Sequence, residues 1–345
     1  MKKILVTGCL GRIGLRLCEK LQASYQMIGI DNDKPKISEL PFDFFHVDLS
    51  SKESVDQAFE DIFEKHGKEF EAVIHLAAYY SFKSEGYRPY KKITVNGTKF
   101  LAEKLTQAKL NQFIFSSTLL VYAPCKKGEK IKEDSPLNPN WEYPKSKIEA
   151  ENILQSFKDN FPIAIFRIAG CYDEMCHSIP IANQIKLIYK KSVKSHLYPG
   201  DFQSGASYLH FDDLIEAFEL ALNKKEDLSS VEIFLLGEEE TLSYEELQTI
   251  IGKNLWDKKW ATIKIPKWFA KAGAFIQLKT PFVKKPFVRP WMIDLTDEHY
   301  ELDISKSKNL LKWEPKHRLS KTLPIMIQNL KDDPEKWFKE NNLNE

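Results

Sequence analysis

The chain has 345 residues, and its 50 Lys and Arg against 49 Asp and Glu leave a formal charge of +1. At roughly 150 residues per domain this implies about two domains or one large α/β unit, with no overall charge surplus to hold nucleic acid or an anionic membrane. Five cysteines, Cys9, Cys18, Cys125, Cys171 and Cys176, contain no C-x-x-C pair, which argues against a disulfide framework or a zinc site and for a reducing compartment.

The start MKKILVTG reaches a glycine too soon for a secretory apolar region, and no run approaches the roughly 18 apolar residues of a membrane span. A cytoplasmic protein without a membrane span is expected. Apolar, strand-like runs at residues 3–7, 26–31, 42–47, 71–75, 112–116 and 162–167 alternate with helical patterns at 11–23, 51–66, 97–109 and 143–160. Each helical stretch is long enough to cross a sheet and return to a parallel neighbour, so the fold class is α/β, a doubly wound parallel sheet. Beyond residue 167, Pro180, Pro199, Pro266, Pro281, Pro286 and Pro290 punctuate short elements around one clear strand at 231–236, with short helices at 243–252 and 305–313. This predicts a first domain over 1–167, to which segments at about 205–240 return, and a smaller, loop-rich lobe mainly over 168–330. A charged, Trp-bearing tail at 331–345 follows. The segment KTPFVKKPFVRPW at 279–291 reads as solvated surface or as a loop covering substrate.

The first strand runs straight into TGCLGRIG, which opens the first helix. Gly8 permits a tight turn, Gly11 lets backbone approach a pyrophosphate, and Gly14 lets helix and strand pack closely, while the helix N-terminus, through Arg12 and Ile13, offers free N–H groups and partial positive charge. This is the pattern of a Rossmann-type dinucleotide site. Asp31 ends the second strand, where a carboxylate bonds the adenosine ribose, and this favours NAD over NADP. NADP stays open because the Arg12 guanidinium can partly offset repulsion between Asp31 and a 2′-phosphate, although a plain diphosphate contact or a surface role is the stronger reading of Arg12.

Farther on, FIFSSTLLVY ends a strand in hydroxyls, and WEYPKSKIEAE puts Tyr143 and Lys147 one turn apart on a single helical face. A tyrosine ordinarily titrates near pH 10, so bringing it to neutrality needs about 3 units, or roughly 4 kcal/mol. Lys147 can supply much of that. An oxidised nicotinamide adds a second positive charge, and Pro144 is tolerated only in a first helical turn, where the dipole also favours an anion.

On these motifs the chain resembles the extended short-chain dehydrogenase/reductases, the NAD-dependent epimerase/dehydratase family, over roughly residues 1 to 320. Asp48 and Leu49 look like the family's adenine-side pair, and HLAA, with Leu76, Ala77 and Ala78, looks like its fourth-strand motif. VNGT resembles the segment bearing its asparagine, Asn96, and FRIAGCY, with Ile168, the strand flanking the nicotinamide. HFDDL and LLKWEP resemble later family motifs. The resemblance implies that Tyr143 is the acid or base at the reacting oxygen, that Lys147 lowers its pKa and holds the nicotinamide ribose, and that Thr118 hydrogen-bonds the same substrate oxygen. Asn96 would steady Lys147. The resemblance also implies a homodimer through the helices at 97–109 and 143–160.

The pattern departs from nucleotide-sugar members at Gly170, where they usually carry an asparagine, and at Ala206, where they tend to have an arginine before the second-lobe motif. Arg289 is the surviving cation able to meet a phosphate, and Tyr80 joins Gly170 and Arg289 as a substrate-side candidate. Redox chemistry at a hydroxyl or keto carbon of a small molecule is therefore expected, on a small or lipophilic substrate or with cofactor recycling on a nucleotide sugar. A non-catalytic dinucleotide sensor is the alternative of another class, against which the intact Thr118, Tyr143 and Lys147 argue. His75 and His210 lie in strand-like motifs without paired carboxylates or thiols and read as structural, and no metal is expected.

Overall fold

A computed structural model describes residues 1–35, 40–83, 85–280 and 287–343. Seven parallel strands form one sheet: β1 (Lys3–Thr7), β2 (Gln26–Asp31), β3 (Asp43–His46), β4 (Ala72–His75), β5 (Phe113–Thr118), β6 (Ile163–Ile168) and β7 (Val231–Leu236). Their order is β7-β6-β5-β4-β1-β2-β3. The sequence winds outward in both directions from β1, so a crevice opens between β1 and β4 at the carboxyl ends of the strands.

Alternation along β1 explains why both faces are covered. Ile4 and Val6 enter one buried cluster with Leu17 and Leu21 of α1 (Arg12–Leu21) and Leu214 and Phe218 of the helix Phe211–Lys224. Leu5 enters the opposite cluster with Val55 and Phe59 of α2 (Lys52–His66), Leu101 of α3 (Gly97–Leu105) and Leu154 of α4 (Glu142–Gln155). A strand buried on both faces reads as an unbroken apolar run, and the KILVT of β1 does.

A third cluster lies away from the sheet. It joins Ile181 and Ile185 of α5 (Ile179–Tyr189), Leu247 and Ile251 of α6 (Tyr244–Trp256), Leu323 and Ile327 of α8 (Leu319–Asp332), and Trp337 of α9 (Pro334–Glu340). The C-terminal tail is therefore anchored by a Trp that is 0% exposed. Between α6 and α8, α7 (Lys267–Lys279) leads toward a 3-10 turn at Pro290–Asp297. Of the segment read as surface or substrate cover, residues 281–286, with Pro281 and Pro286, lie outside the described residues.

The helix expected to begin at residue 97 starts earlier. A helical stretch from Arg88 continues through a π-helical segment, Lys91–Asn96, into α3. Asn-Gly ordinarily signals a turn, but a Cβ on Gly97 would stand 2.9 Å from Leu49 Cβ. The glycine is there for close packing, not to end the helix.

Candidate active site

Gly8 adopts φ +71°, a conformation that glycine reaches without penalty. A Cβ on it would lie 3.0 Å from Ala77 N, and one on Gly14 would lie 2.2 Å from Gly8 O. Gly11 caps α1 with no side-chain hydrogen bond, and the helix has no acid in its first turn. The Gly11 N–H turns back to Gly8 O at 3.1 Å, and the uncapped N–H groups of Arg12 and Ile13, beside a cradle with no room for a Cβ, fit a dinucleotide pyrophosphate.

Across the crevice Leu76 N–H donates to Thr7 O at 3.2 Å and Ala77 N–H to Thr7 Oγ1 at 3.1 Å, which fixes the Leu76–Ala77–Ala78 edge. His75 is held between Thr7 Oγ1 at 2.6 Å and Thr98 Oγ1 at 2.9 Å, and burial pushes its pKa down to about 3. It is a neutral structural histidine. His210 sits at the N-cap of the helix Phe211–Lys224, its Nδ1 accepting from Asp212 N–H at 3.2 Å.

The adenine-side acids also brace backbone. Asp31 Oδ2 accepts from Leu10 N–H at 2.9 Å and Oδ1 from Asp33 N–H at 3.1 Å. Asp48 Oδ1 accepts from Ser50 N–H at 2.8 Å, and Leu49 is buried. Arg12 is exposed and takes a surface contact, its Nη2 donating to Glu340 O at 2.5 Å, at the end of α9. A C-terminal helix end attracts a cation.

Three consecutive hydroxyls end β5, and their partners separate their uses. Ser116 Oγ donates to His75 O at 3.0 Å, and Ser117 Oγ donates to Glu151, which is also paired with buried Arg167 at 2.7 Å. Thr118 Oγ1 accepts from Leu120 N–H at 3.3 Å and, among the described residues, donates to no partner. Thr118 is opposite Ile168 in the β5–β6 register.

Lys147 is 1% exposed, and its Nζ donates to Ser116 O at 2.6 Å. Its ammonium lies 5.7 Å from the centroid of the Tyr143 ring. Burial pushes Lys147 down to about 7 and Tyr143 above the usual tyrosine range. For Tyr143, desolvation of the phenol is the dominant influence and favours its protonated form. Asn96 closes the π-helical segment and is half-buried, with no side-chain hydrogen bond among the described residues. Such segments often occur at functional sites.

The reacting side is walled by aromatics. Tyr80 meets Tyr143 edge-on at 4.7 Å, and Trp141 lies 5.5 Å from Tyr143, 5.9 Å from Phe82 and 5.1 Å from Trp291. Phe287 meets Phe82 at 5.3 Å. Of this group sequence reasoning singled out Tyr80 and Tyr143. Trp291 and Phe287 come from the segment weighed as a substrate cover, and the structure brings them to the wall. Arg289 lies between them in sequence, at the cap of the 3-10 turn. A Cβ on Gly170 would stand 2.9 Å from the Tyr208 ring, so that ring takes the space an asparagine would need.

Residues 4–237 match the model of the NAD dependent epimerase/dehydratase family. The chain belongs to that family. Its cofactor is NAD, as the Asp31 position favoured. The dTDP-D-glucose 4,6-dehydratase of Dictyostelium discoideum is 29% identical over 253 residues, 66% of this chain and 56% of that protein. The chain thus spans little more than half of that relative's length. The UDP-glucuronate 4-epimerase of Thermodesulfobacterium geofontis is 25% identical over 359 residues, covering 98% of this chain and 96% of the relative. The fold matches that of the UDP-glucuronic acid 4-epimerase from Bacillus cereus, solved with UDP-glucuronic acid and NAD, at a TM-score of 0.72 and 22% identity over 96% of this chain and 99% of that one.

Proposed function

We propose that this chain oxidises and re-reduces a secondary carbinol, with Tyr143 moving the hydroxyl proton. The observation that carries this reading is Lys147, a lysine buried at the carboxyl end of the sheet whose Nζ donates to the Ser116 carbonyl, one helical turn from the half-buried phenol of Tyr143. Bound NAD supplies a ring that accepts hydride from the carbinol carbon and can return it. Gly8, Gly11, Gly14 and Ile13 would hold the pyrophosphate, Asp31 the adenosine ribose, and Asp48, Leu49 and the Leu76–Ala78 edge the adenine side, with Ile168 beside the nicotinamide. Thr118 would donate its free proton to the substrate oxygen, and Tyr143 would take the proton from that oxygen as hydride leaves carbon. Lys147 would hold the nicotinamide ribose and stabilise the phenolate, and Asn96 would steady it. The mouth would be lined by Tyr80, Gly170 and Arg289.

For substrate, the matched relatives support a nucleotide-linked sugar whose carbinol is oxidised and whose ketone then takes the hydride back, or first loses water and takes the hydride back at the alkene carbon formed, so that NAD is regenerated. A second reading, net oxidation of a lipophilic alcohol, is favoured by the aromatic wall and by Tyr208 standing where a diphosphate-binding asparagine would fit. The five free thiols support a reducing, cytoplasmic setting, and the resemblance supports a homodimer through α3 and α4.

UDP- and dTDP-sugars and lipophilic alcohols and ketones, each supplied with NAD, separate these readings. Product without net NADH marks the recycling reaction on a sugar; net NADH marks the second. Tyr143→Phe is expected to lower turnover by about 10²- to 10⁴-fold, with NAD affinity retained. An unchanged rate contradicts the assignment.

A further inference from the structure

We infer that α7 is an interfacial anchor that lays this protein on an anionic lipid bilayer. In a water-soluble helix the apolar stripe faces the core and the charges face solvent. In α7 the arrangement is reversed. Trp268 is 71% exposed, Phe269 54%, Phe275 56% and Ile276 64%, and no residue of the helix is buried. At the helical period these four share one face with Ala272 and Gly273. The opposite face carries Lys267 and Lys271, which turn to the protein and pair with Asp297 at 2.7 Å and Asp294 at 2.5 Å. The lysines thus fasten the helix to the turn Pro290–Asp297 and aim its apolar face outward.

The surroundings say what covers that face. Residues 258–280 contain six lysines and no Asp or Glu, in a chain whose overall charge is +1. Lys279 sits on the exposed side of α7 with its Nζ 5.6 Å from the Phe275 ring, and Lys194 donates to Gln277 Oε1 at 2.6 Å. Neither of these, nor Lys258, makes an ion pair among the described residues. A second copy docked face to face would bring two such cationic rims together, whereas phospholipid headgroups neutralise them. Aromatics with lysines on a short helix of this kind are the composition of in-plane membrane anchors. With 13 residues the helix is about 20 Å long, short of the roughly 30 Å hydrocarbon core, so it lies in the interface. Among the described residues no helix is long and apolar enough to cross a membrane.

The anchor is next to the reaction site. The turn it holds carries Trp291, which packs on Trp141 beside Tyr143. The near-neutral total charge offers no attraction over the whole molecule, so the inference rests on the lysines beside this helix alone.

Co-sedimentation of the full chain with vesicles tests this. Phosphatidylglycerol–phosphatidylcholine vesicles are expected to bind at least roughly tenfold more tightly than phosphatidylcholine alone, with binding weakened by salt. Trp268→Ser/Phe275→Ser/Ile276→Ser changes exposed positions only, and is expected to abolish vesicle binding while circular dichroism and NAD binding stay unchanged. No binding of the wild-type chain to anionic vesicles overturns the inference, as does equal binding by the triple variant. A dimer lost in the triple variant, without vesicle binding, also overturns it and assigns the face to a second copy. None of these outcomes bears on the Tyr143 chemistry, which is read by turnover.

Discussion

Around the glycine turn the site is made of backbone, whereas around Tyr143 it is made of side chains gathered from distant segments. The first region leaves no room for a Cβ at Gly8 or Gly14. The second joins Tyr80 and Phe82, Trp141 and Tyr143, and Phe287 and Trp291, whose rings touch at 4.7 to 5.9 Å. Backbone geometry permits few sequences, so the glycine-turn half announces itself. A wall of rings can be assembled in many ways, so the aromatic half does not.

Gly14→Ala probes the rigid half. Its Cβ would stand 2.2 Å from Gly8 O and 2.7 Å from Cys9 Cα, both backbone, so α1 must move off the turn. A loss of about 1–3 kcal/mol in stability is expected, with NAD affinity falling at least tenfold, read by thermal denaturation and by titration with NAD. Unaltered affinity would mean that the close approach of α1 is not what forms the cradle.

Lys147 sits between the halves and makes a pH signature. Its pKa is about 7 in the folded chain against 10.5 for an ordinary lysine, so between those values the unfolded chain holds a proton that the folded chain has lost. Stability contributed by this group therefore increases with pH across that window and is lost as pH falls through about 7. Relative to Lys147→Met, the cofactor-free wild-type chain is expected to gain up to about 1.4 kcal/mol per pH unit above neutrality, measured by denaturation at successive pH values. A flat difference would place the ammonium in a more solvated setting.

On the adaptable half, Trp291→Ala is expected to be mildest. It removes a ring 5.1 Å from Trp141 without touching the cofactor cradle. KM is expected to rise by roughly three- to tenfold, in line with an aromatic contact of about 0.5–1.5 kcal/mol, with stability and NAD affinity unchanged. An equal loss in NAD affinity would blur the division between the halves.

The same division governs what could be read from the residues alone. The parallel sheet, the glycine turn and the Tyr143–Lys147 pair were legible because each rests on a short local pattern: an apolar run, a required turn, an i,i+4 spacing. The π-helical entry to α3 was hidden because Asn96-Gly97 carries a turn signal that packing against Leu49 overrides. The wall escaped because Phe82 and Phe287 meet only after the chain has folded. The partner of Arg12 was hidden for a related reason, since the carbonyl it finds, that of Glu340, belongs to the far end of the chain. α8, with Pro324 inside it, was obscured by a residue that usually breaks helices, although Leu323, Met326, Ile327 and Leu330 are buried there.

The central claim is that burial holds Tyr143 protonated until the positive charge of oxidised NAD joins that of Lys147. Phenolate absorbance, titrated against pH as the difference between the wild-type chain and Tyr143→Phe with and without NAD, tests it directly. The account predicts one phenol titrating above the normal tyrosine range in the free protein and moving toward neutral pH when oxidised NAD binds. A Tyr143 titration that binding leaves in place would contradict it.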